Sequence, residues 1–229
     1  MQRKQRKILT VILALALLLP LVGGAAHATT QEVPDMQDVS PGDWFYRYVV
    51  YSFRFNLTIG TSTDSFRFEP NRPVTQAEFF TMLGRLHEHG EGNTIGIPAD
   101  GTFYGRYLAW AAEHGLVLED QNGDLMPDAL ITREQMAVIV DRYIRGFGLI
   151  EYFDFPVPSW PAPADEKDIS AWAHIAVLYL RDYRLLRGNF GEVHGWFFRP
   201  QDATTRAETL AIFVRMCRAI YEGKFPIWN

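Results

Sequence analysis

One spacing recurs three times and constrains the fold more than any other feature of the chain. Pro70, Pro127 and Pro200 each stand five residues before a threonine, and the threonines are Thr75, Thr132 and Thr205. Three residues beyond each threonine lies Glu78, Gln135 or Glu208. An apolar run follows every time: Phe79, Phe80, Met82, Leu83 and Leu86; Met136, Val138, Ile139, Val140 and Tyr143; Leu210, Ile212, Phe213 and Met216. Apolar residues at such spacings describe the core face of a helix. A threonine three residues ahead of Glu or Gln predicts a capping box at that helix start. There the hydroxyl accepts from the third backbone N–H, and the acidic or amide side chain accepts from the threonine N–H. One match is cheap, whereas three at one internal spacing make a repeat.

The repeat extends upstream. Trp44, Phe103 and Trp172 stand 16 residues before Gly60, Glu119 and Gly188, and 26, 24 and 28 residues before the three prolines. The length variation falls in a loop, where it is tolerated. Each unit reads as helix, loop, helix. The first helices carry Trp44, Tyr48, Val49, Tyr51, Phe53 and Phe55; Tyr107, Leu108, Trp110, Ala111 and Ala112; Trp172, Ile175, Ala176, Leu178 and Tyr179. Phe68, Leu125 or Phe198 lies two residues before the proline.

The amino terminus reads as an export signal. Arg3, Lys4, Arg6 and Lys7 precede an apolar stretch from Ile8 to Leu21, and Ala26-His27-Ala28 offers a small-x-small cleavage site. The stretch is short for a bilayer span of about 20 residues. Cleavage after Ala28 is therefore expected, leaving no membrane segment. The whole chain has 22 basic and 27 acidic side chains. Losing four basic ones leaves a net charge of −9, which argues against nucleic acid as a partner. The single cysteine, Cys217, sits among Ile212, Phe213, Val214 and Met216 and is expected to be a small buried hydrophobe. Pro156 to Pro163 reads as an extended, proline-rich linker.

Catalytic and metal chemistry find little support in the residues. Glu78, Glu113, Glu134 and Glu208 are the carboxylates that a glycan hydrolase could draw on, but Glu78 and Glu208 are committed to capping. His87 and His89 are two residues apart and do not share a helix face, and His114, His174 and His194 are isolated. Asp120 to Asp124 resembles the start of a calcium loop, yet Leu125 and Ile131 occupy its sixth and twelfth places, so a tight turn is expected. No cofactor and no metal are expected.

Capping leaves unexplained the residue after each threonine, which is Gln76, Arg133 or Arg206. This first helical position is expected to face outward. An arginine there, beside the free N–H groups of a helix start, would suit a carboxylate or phosphate. Exchanging Arg206 for Gln would then move stability by less than about 0.5 kcal/mol.

Taken together, "DVSPGDWFYRYVVYSFRFNLTIG", the "FEP" and "FRP" loops, and "VTQAE", "ITREQ" and "TTRAE" resemble the S-layer homology family. The resemblance implies a mainly α fold, three helix–loop–helix repeats packed as a pseudo-threefold helical bundle with grooves between units. The corresponding domains are a signal peptide over 1–28, repeats over 34–91, 97–147 and 165–222, and the linker over 148–164. It also implies a non-catalytic module, exported to the bacterial cell surface, that binds secondary cell-wall polysaccharide, often pyruvylated. Other cell-surface proteins are the second class of partner. An exported protein-binding bundle and, behind it, a wall-glycan hydrolase are the competing readings. Carried over residue by residue, the resemblance assigns polysaccharide binding to Arg133, Arg206, Trp44, Trp172, Asp38 and Asp168, with Gln76 where the first unit lacks arginine. Phe103 replaces tryptophan in the second unit, so one or two working sites are expected rather than three.

The capping reading predicts that Thr132→Ala and Thr205→Ala each cost about 0.5–2 kcal/mol. Thermal melts of the two variants check it.

Overall fold

The computed structural model describes residues 35–59, 66–91, 94–97, 101–118, 125–153, 161–186, 189–191 and 195–220. The expected export signal and cleavage site lie outside them, as do Gly60, Glu119, Gly188, residues 120–124, His194 and most of the proline-rich segment. Among the described residues the chain is mainly helical, with helices α1 (Tyr46–Arg54), α2 (Gln76–Glu91), α3 (Gly105–Glu113), α4 (Arg133–Gly146), α5 (His174–Asp182) and α6 (Arg206–Ile220). None of these is long and apolar enough to cross a membrane.

All three threonines cap as the spacing predicts. Glu78, Gln135 and Glu208 each donate a backbone N–H to the threonine Oγ1 at 3.3 Å. Their side chains accept from the threonine N–H at 3.2, 2.9 and 3.0 Å. The second helices α2, α4 and α6 therefore start where the motif places them. The first helices end alike. Asn56, Gly115 and Arg184, each 12 residues after Trp44, Phe103 or Trp172, adopt positive φ of 53°, 65° and 58°. The next residue's N–H closes the turn onto Ser52, Ala111 or Leu180 at 2.9 Å, a Schellman arrangement. Only Gly115 adopts that conformation freely.

The connections between helix pairs are made by backbone. Val74 donates to Thr204 O at 3.0 Å, Thr204 to Ile131 O at 2.8 Å, and Ile131 to Val74 O at 3.0 Å, which closes a ring through three motif segments. All three residues are buried. From that ring the second helices lean into the next segment. The N–H groups of Gln76 and Ala77 bond Ala129 O and Pro127 O, those of Arg133 and Glu134 bond Asp202 O and Pro200 O, and those of Arg206 and Ala207 bond Arg72 O and Pro70 O.

Side-chain packing follows the same cyclic order. Helix α3 packs on α2, α5 on α4, and α1 on α6. At the first of these contacts the chains come close. A Cβ at Gly84 would lie 2.3 Å from the Tyr107 ring. In the shared centre, the Phe79 and Phe213 rings meet edge to face at 5.2 Å. Cys217 is buried there, and burial pushes its thiol up to about 12, as befits an inert apolar filler.

Two features were not legible in the sequence. A short antiparallel hairpin, β1 (Asn189–Gly191) with β2 (Gly195–Phe197), forms in the longest of the three loops. Its Trp196 is buried and donates from Nε1 to Pro161 O at 2.8 Å, so the end of the proline-rich segment is tied down rather than free. Trp44, Phe103 and Trp172 are the second difference. Trp44 and Trp172 precede the helices in which the sequence placed them, Phe103 likewise precedes α3, and the three remain 57%, 55% and 61% exposed.

Because each second helix completes its N-terminal hydrogen bonding and buries its apolar face only on the following segment, one helix pair alone leaves both unsatisfied. Residues 165–222 in isolation are expected to show little helical circular dichroism and no cooperative melt, whereas the whole chain melts as one unit.

Candidate functional site

The junctions where one helix pair meets the next hold most of the residues singled out by sequence. At the junction of α6 with the first loop, Arg206 is only 5% exposed. Its Nε donates to Phe68 O at 2.8 Å, and Nη2 donates to Ile59 O at 3.0 Å and to Thr58 Oγ1 at 3.2 Å. The guanidinium lies over the Phe68 ring, 4.9 Å from its centre. Burial, with Arg72 nearby, pushes Arg206 down to about 10, so it stays charged at neutral pH. At the junction of α4 with the third loop, Arg133 repeats the arrangement. It is 5% exposed, donates from Nε to Phe198 O at 2.6 Å, pairs with Glu208, and lies 5.4 Å from the Phe198 ring centre.

The outward-facing expectation for this position is therefore corrected. Arg133 and Arg206 point into the neighbouring segment, where their forks satisfy loop carbonyls and their planes cover a phenylalanine. The helix starts are not open to an anion either. The first two N–H groups go to carbonyls of the adjacent loop and the third to the capping threonine. Gln76 is 3% exposed at the remaining junction, and its Oε1 has no hydrogen-bond donor. The first-position residue and the loop residue two before proline vary together: Arg206 with Phe68, Arg133 with Phe198, and Gln76 at the junction whose loop carries Leu125. A shorter side chain accompanies a non-aromatic loop residue.

Asp38 also has a structural task. Its carboxylate accepts from Phe68 N at 2.9 Å and Glu69 N at 2.7 Å, holding Glu69 at φ 56° ahead of Pro70. In the third pair this task belongs to Asp165, not to Asp168. Asp165 accepts from Phe198 N at 2.8 Å and Arg199 N at 2.6 Å, with Arg199 at φ 55°. Asp168 ends the 3₁₀ turn Glu166–Asp168 that follows Asp165, and it is exposed. Spacing from the tryptophan favours Asp165, seven residues before Trp172 against six from Asp38 to Trp44, over Asp168 at four. Asp168-Ile169-Ser170 nevertheless resembles Asp38-Val39-Ser40 and drew the assignment.

Glu134 is likewise engaged. It is 3% exposed and accepts from Ser170 N at 3.0 Å, Ser170 Oγ at 2.8 Å and Gln201 Nε2 at 2.9 Å, which fixes the turn leading to Trp172. His87 lies among rings, 4.9 Å from Trp110 and 4.5 Å from Phe147. Burial, reinforced by His114, pushes it down to about 4, so it is a neutral packing group at neutral pH. Among the described residues no group of three His, Cys, Asp or Glu side chains is placed to hold a metal.

Trp44 and Trp172 remain accessible, each with an open groove lined by its neighbours in the chain. An open groove of about 520 Å³ is lined by Asp38, Asp43, Phe45, Glu69, Asn71 and Arg72, so Trp44 emerges between two of its lining residues in the chain. A second, of about 540 Å³, is lined by Glu166, Lys167, Ile169, Ala171 and His174, beside Trp172. An exposed indole next to carboxylates, an amide and cations is the donor and acceptor set of a polyhydroxylated ligand.

Parts of the chain are similar to known proteins. Residues 97–137 match the S-layer homology domain. The matched stretch runs from before α3 to the first turn of α4 and includes Phe103, the Thr132 capping box and Arg133. The chain is 25% identical over 215 residues to an endoglucanase of Bacillus sp. (strain KSM-635), covering 90% of this chain and 21% of that protein. It is 29% identical over 149 residues to an amylopullulanase of Thermoanaerobacterium thermosulfurigenes, covering 64% and 8% respectively. A cellulosome-anchoring protein of Acetivibrio thermocellus is 28% identical over 158 residues, covering 65% of this chain and 33% of that protein. The chain thus corresponds to a third or less of each of these relatives.

The buried position of Arg206 reverses the sequence-based expectation for its replacement. Arg206→Gln leaves Phe68 O and Ile59 O without their donor, at a cost of about 1–3 kcal/mol for a buried acceptor. Urea denaturation is expected to show a lowered midpoint with little change in slope.

Proposed function

We propose that this chain is a non-catalytic anchoring module that holds to secondary cell-wall polysaccharide at the surface of a bacterium. The observation that carries this reading is the recurrence of one exposed aromatic, Trp44, Phe103 or Trp172, at the same place before each first helix. Folding gains nothing from leaving three large rings 55–61% exposed, whereas an aromatic face stacks on the apolar face of a sugar. The S-layer homology match and the cellulosome-anchoring relative support the same reading. Within it, the three segments act as tandem S-layer homology repeats over 34–91, 97–147 and 165–222 in pseudo-threefold order, behind an export signal, with 148–164 as the link. The two tryptophan grooves are the working sites. Phe103 supplies a smaller ring to the second repeat and makes it the weakest.

A hydrolase fits less well. Glu78 and Glu208 cap helices, and Glu134 is buried and bonded by three donors. Whatever activity the full-length relatives have resides in proteins of which the match to this chain spans 8–33%.

The test is sedimentation of residues 29–229 with purified sacculi. Binding is expected to native sacculi and to be lost on sacculi stripped of secondary polysaccharide. Trp44→Ala and Trp172→Ala are each expected to weaken it several-fold without lowering the melting temperature, because neither ring is in the core. Absence of binding to native sacculi rejects the anchoring function and favours a protein-binding bundle.

A further inference from the structure

The turns that lead into the three exposed aromatics are held in different ways, although the aromatics stand at one place in the repeat. The residue just before each is Asp43, Thr102 or Ala171. Asp43 steadies its own turn, its Oδ2 accepting from Ser40 N at 2.7 Å. Thr102 also acts locally, its Oγ1 accepting from Gly105 N at 2.9 Å where α3 begins. Ala171 has no side-chain oxygen to offer. The rings differ in the same sense. Trp44 meets Phe45 and Tyr48 edge to face, at 5.5 and 6.3 Å, and Phe103 meets Tyr104 at 5.1 Å. The corresponding places after Trp172 hold Ala173 and Ala176, which carry no ring.

Support for the third turn comes instead from another helix. Two residues after the capping threonines stand Ala77, Glu134 and Ala207, all buried, and two residues before the aromatics stand Gly42, Gly101 and Ser170. Only the Glu134 and Ser170 pair can form side-chain hydrogen bonds. Glu134 accepts from Ser170 N at 3.0 Å with one carboxylate oxygen, and from Ser170 Oγ at 2.8 Å and Gln201 Nε2 at 2.9 Å with the other. Ser170 O in turn accepts from Ala173 N at 2.9 Å and His174 N at 3.0 Å, so the bonded turn brackets Trp172. Ser170 also lies between Ile169 and Ala171, which line the groove beside that tryptophan. A carboxylate only 3% exposed is costly unless donors surround it. Three donors and the positive end of α4, in whose first turn Glu134 lies, meet that condition.

We propose that Glu134 is the positioning residue of the Trp172 site. It fixes the turn from Ser170 to Ala173, so that the exposed indole and the groove beside it present one arrangement to a sugar ring, and it does not touch the sugar itself. The inference rests on the wall-polymer reading and names the side chain that makes one of its two tryptophan sites competent. Trp44, held by Asp43 and two neighbouring rings, needs no such partner.

The test is a double-mutant cycle on the mature chain, read as apparent Kd for native sacculi at a temperature where circular dichroism shows every variant folded. Glu134→Ala is expected to weaken binding several-fold and to add nothing once Trp172→Ala is present, because a residue that acts only through another is silent in its absence. Combined with Trp44→Ala, its effect persists in full. Ser170→Gly, which restores the glycine of the other units, is expected to repeat the pattern at smaller size. Glu134→Gln, which keeps an acceptor for Ser170 N, is expected to recover most of the binding. Fluorine NMR of the chain labelled with fluorotryptophan reads the same turn without a ligand. The Trp172 resonance, assigned by its loss in Trp172→Phe, shifts in Glu134→Ala while that of Trp44 stays. Undiminished binding by Glu134→Ala and Ser170→Gly, or equal weakening with and without Trp172, overturns the positioning role and leaves wall anchoring standing. Failure of the wild-type chain to bind native sacculi overturns both.

Discussion

The ring of hydrogen bonds through Val74, Thr204 and Ile131 is the constraint from which the rest of the structure follows. Three segments far apart in sequence give up one donor and one acceptor each, all in a dry interior where an unpaired peptide group costs about 1–3 kcal/mol. No segment can satisfy itself, and no two can satisfy each other without the third. The ring also sets the angle at which α2, α4 and α6 leave the centre, so that the next two N–H groups of each helix meet carbonyls of the following loop. The ordinary problem of a helix start, donors without partners, is solved here between segments rather than within them.

That solution changes the meaning of the arginine after the capping threonine. In isolation an arginine at a helix start opposes the helix dipole and would be a poor choice for stability. In the assembled chain it reaches across the junction to a carbonyl and an aromatic ring, and Glu208 in one case offsets its charge. The cost of burying a guanidinium is met by its hydrogen bonds, which is the condition under which buried charge is tolerated. The same side chain thereby becomes unavailable as a free ligand contact.

Much of the architecture was legible in the sequence because it depends on local chemistry. Thr75, Thr132 and Thr205 cap helices whichever tertiary contacts form, since the bonds span three residues. Asn56, Gly115 and Arg184 show the limit of that legibility. Only the glycine announces a left-handed turn, and the other two were visible solely through the 12-residue spacing from Trp44 and Trp172. The exposed state of those tryptophans was not legible, because an aromatic beside a helical apolar run reads the same whether it enters the core or stands at its edge. Asp165 escaped notice for a different reason. It keeps nearly the spacing of Asp38 from the tryptophan, but the Asp168-Ile169-Ser170 likeness to Asp38-Val39-Ser40 pointed to the wrong carboxylate.

By itself the sequence determined the helices, the starting points of α2, α4 and α6, and the need for each apolar face to be covered by another part of the chain. Those properties arise from contacts within one turn of helix and from the periodicity of apolar residues. The tertiary structure alone decided which helix covers which face, which carbonyls complete each helix start, and which arginines remain in water. Those outcomes depend on groups brought together across as many as 167 residues, as Arg215 is to Tyr48. A side chain's partners, not its type or its place in a motif, fix whether it serves the fold or a ligand.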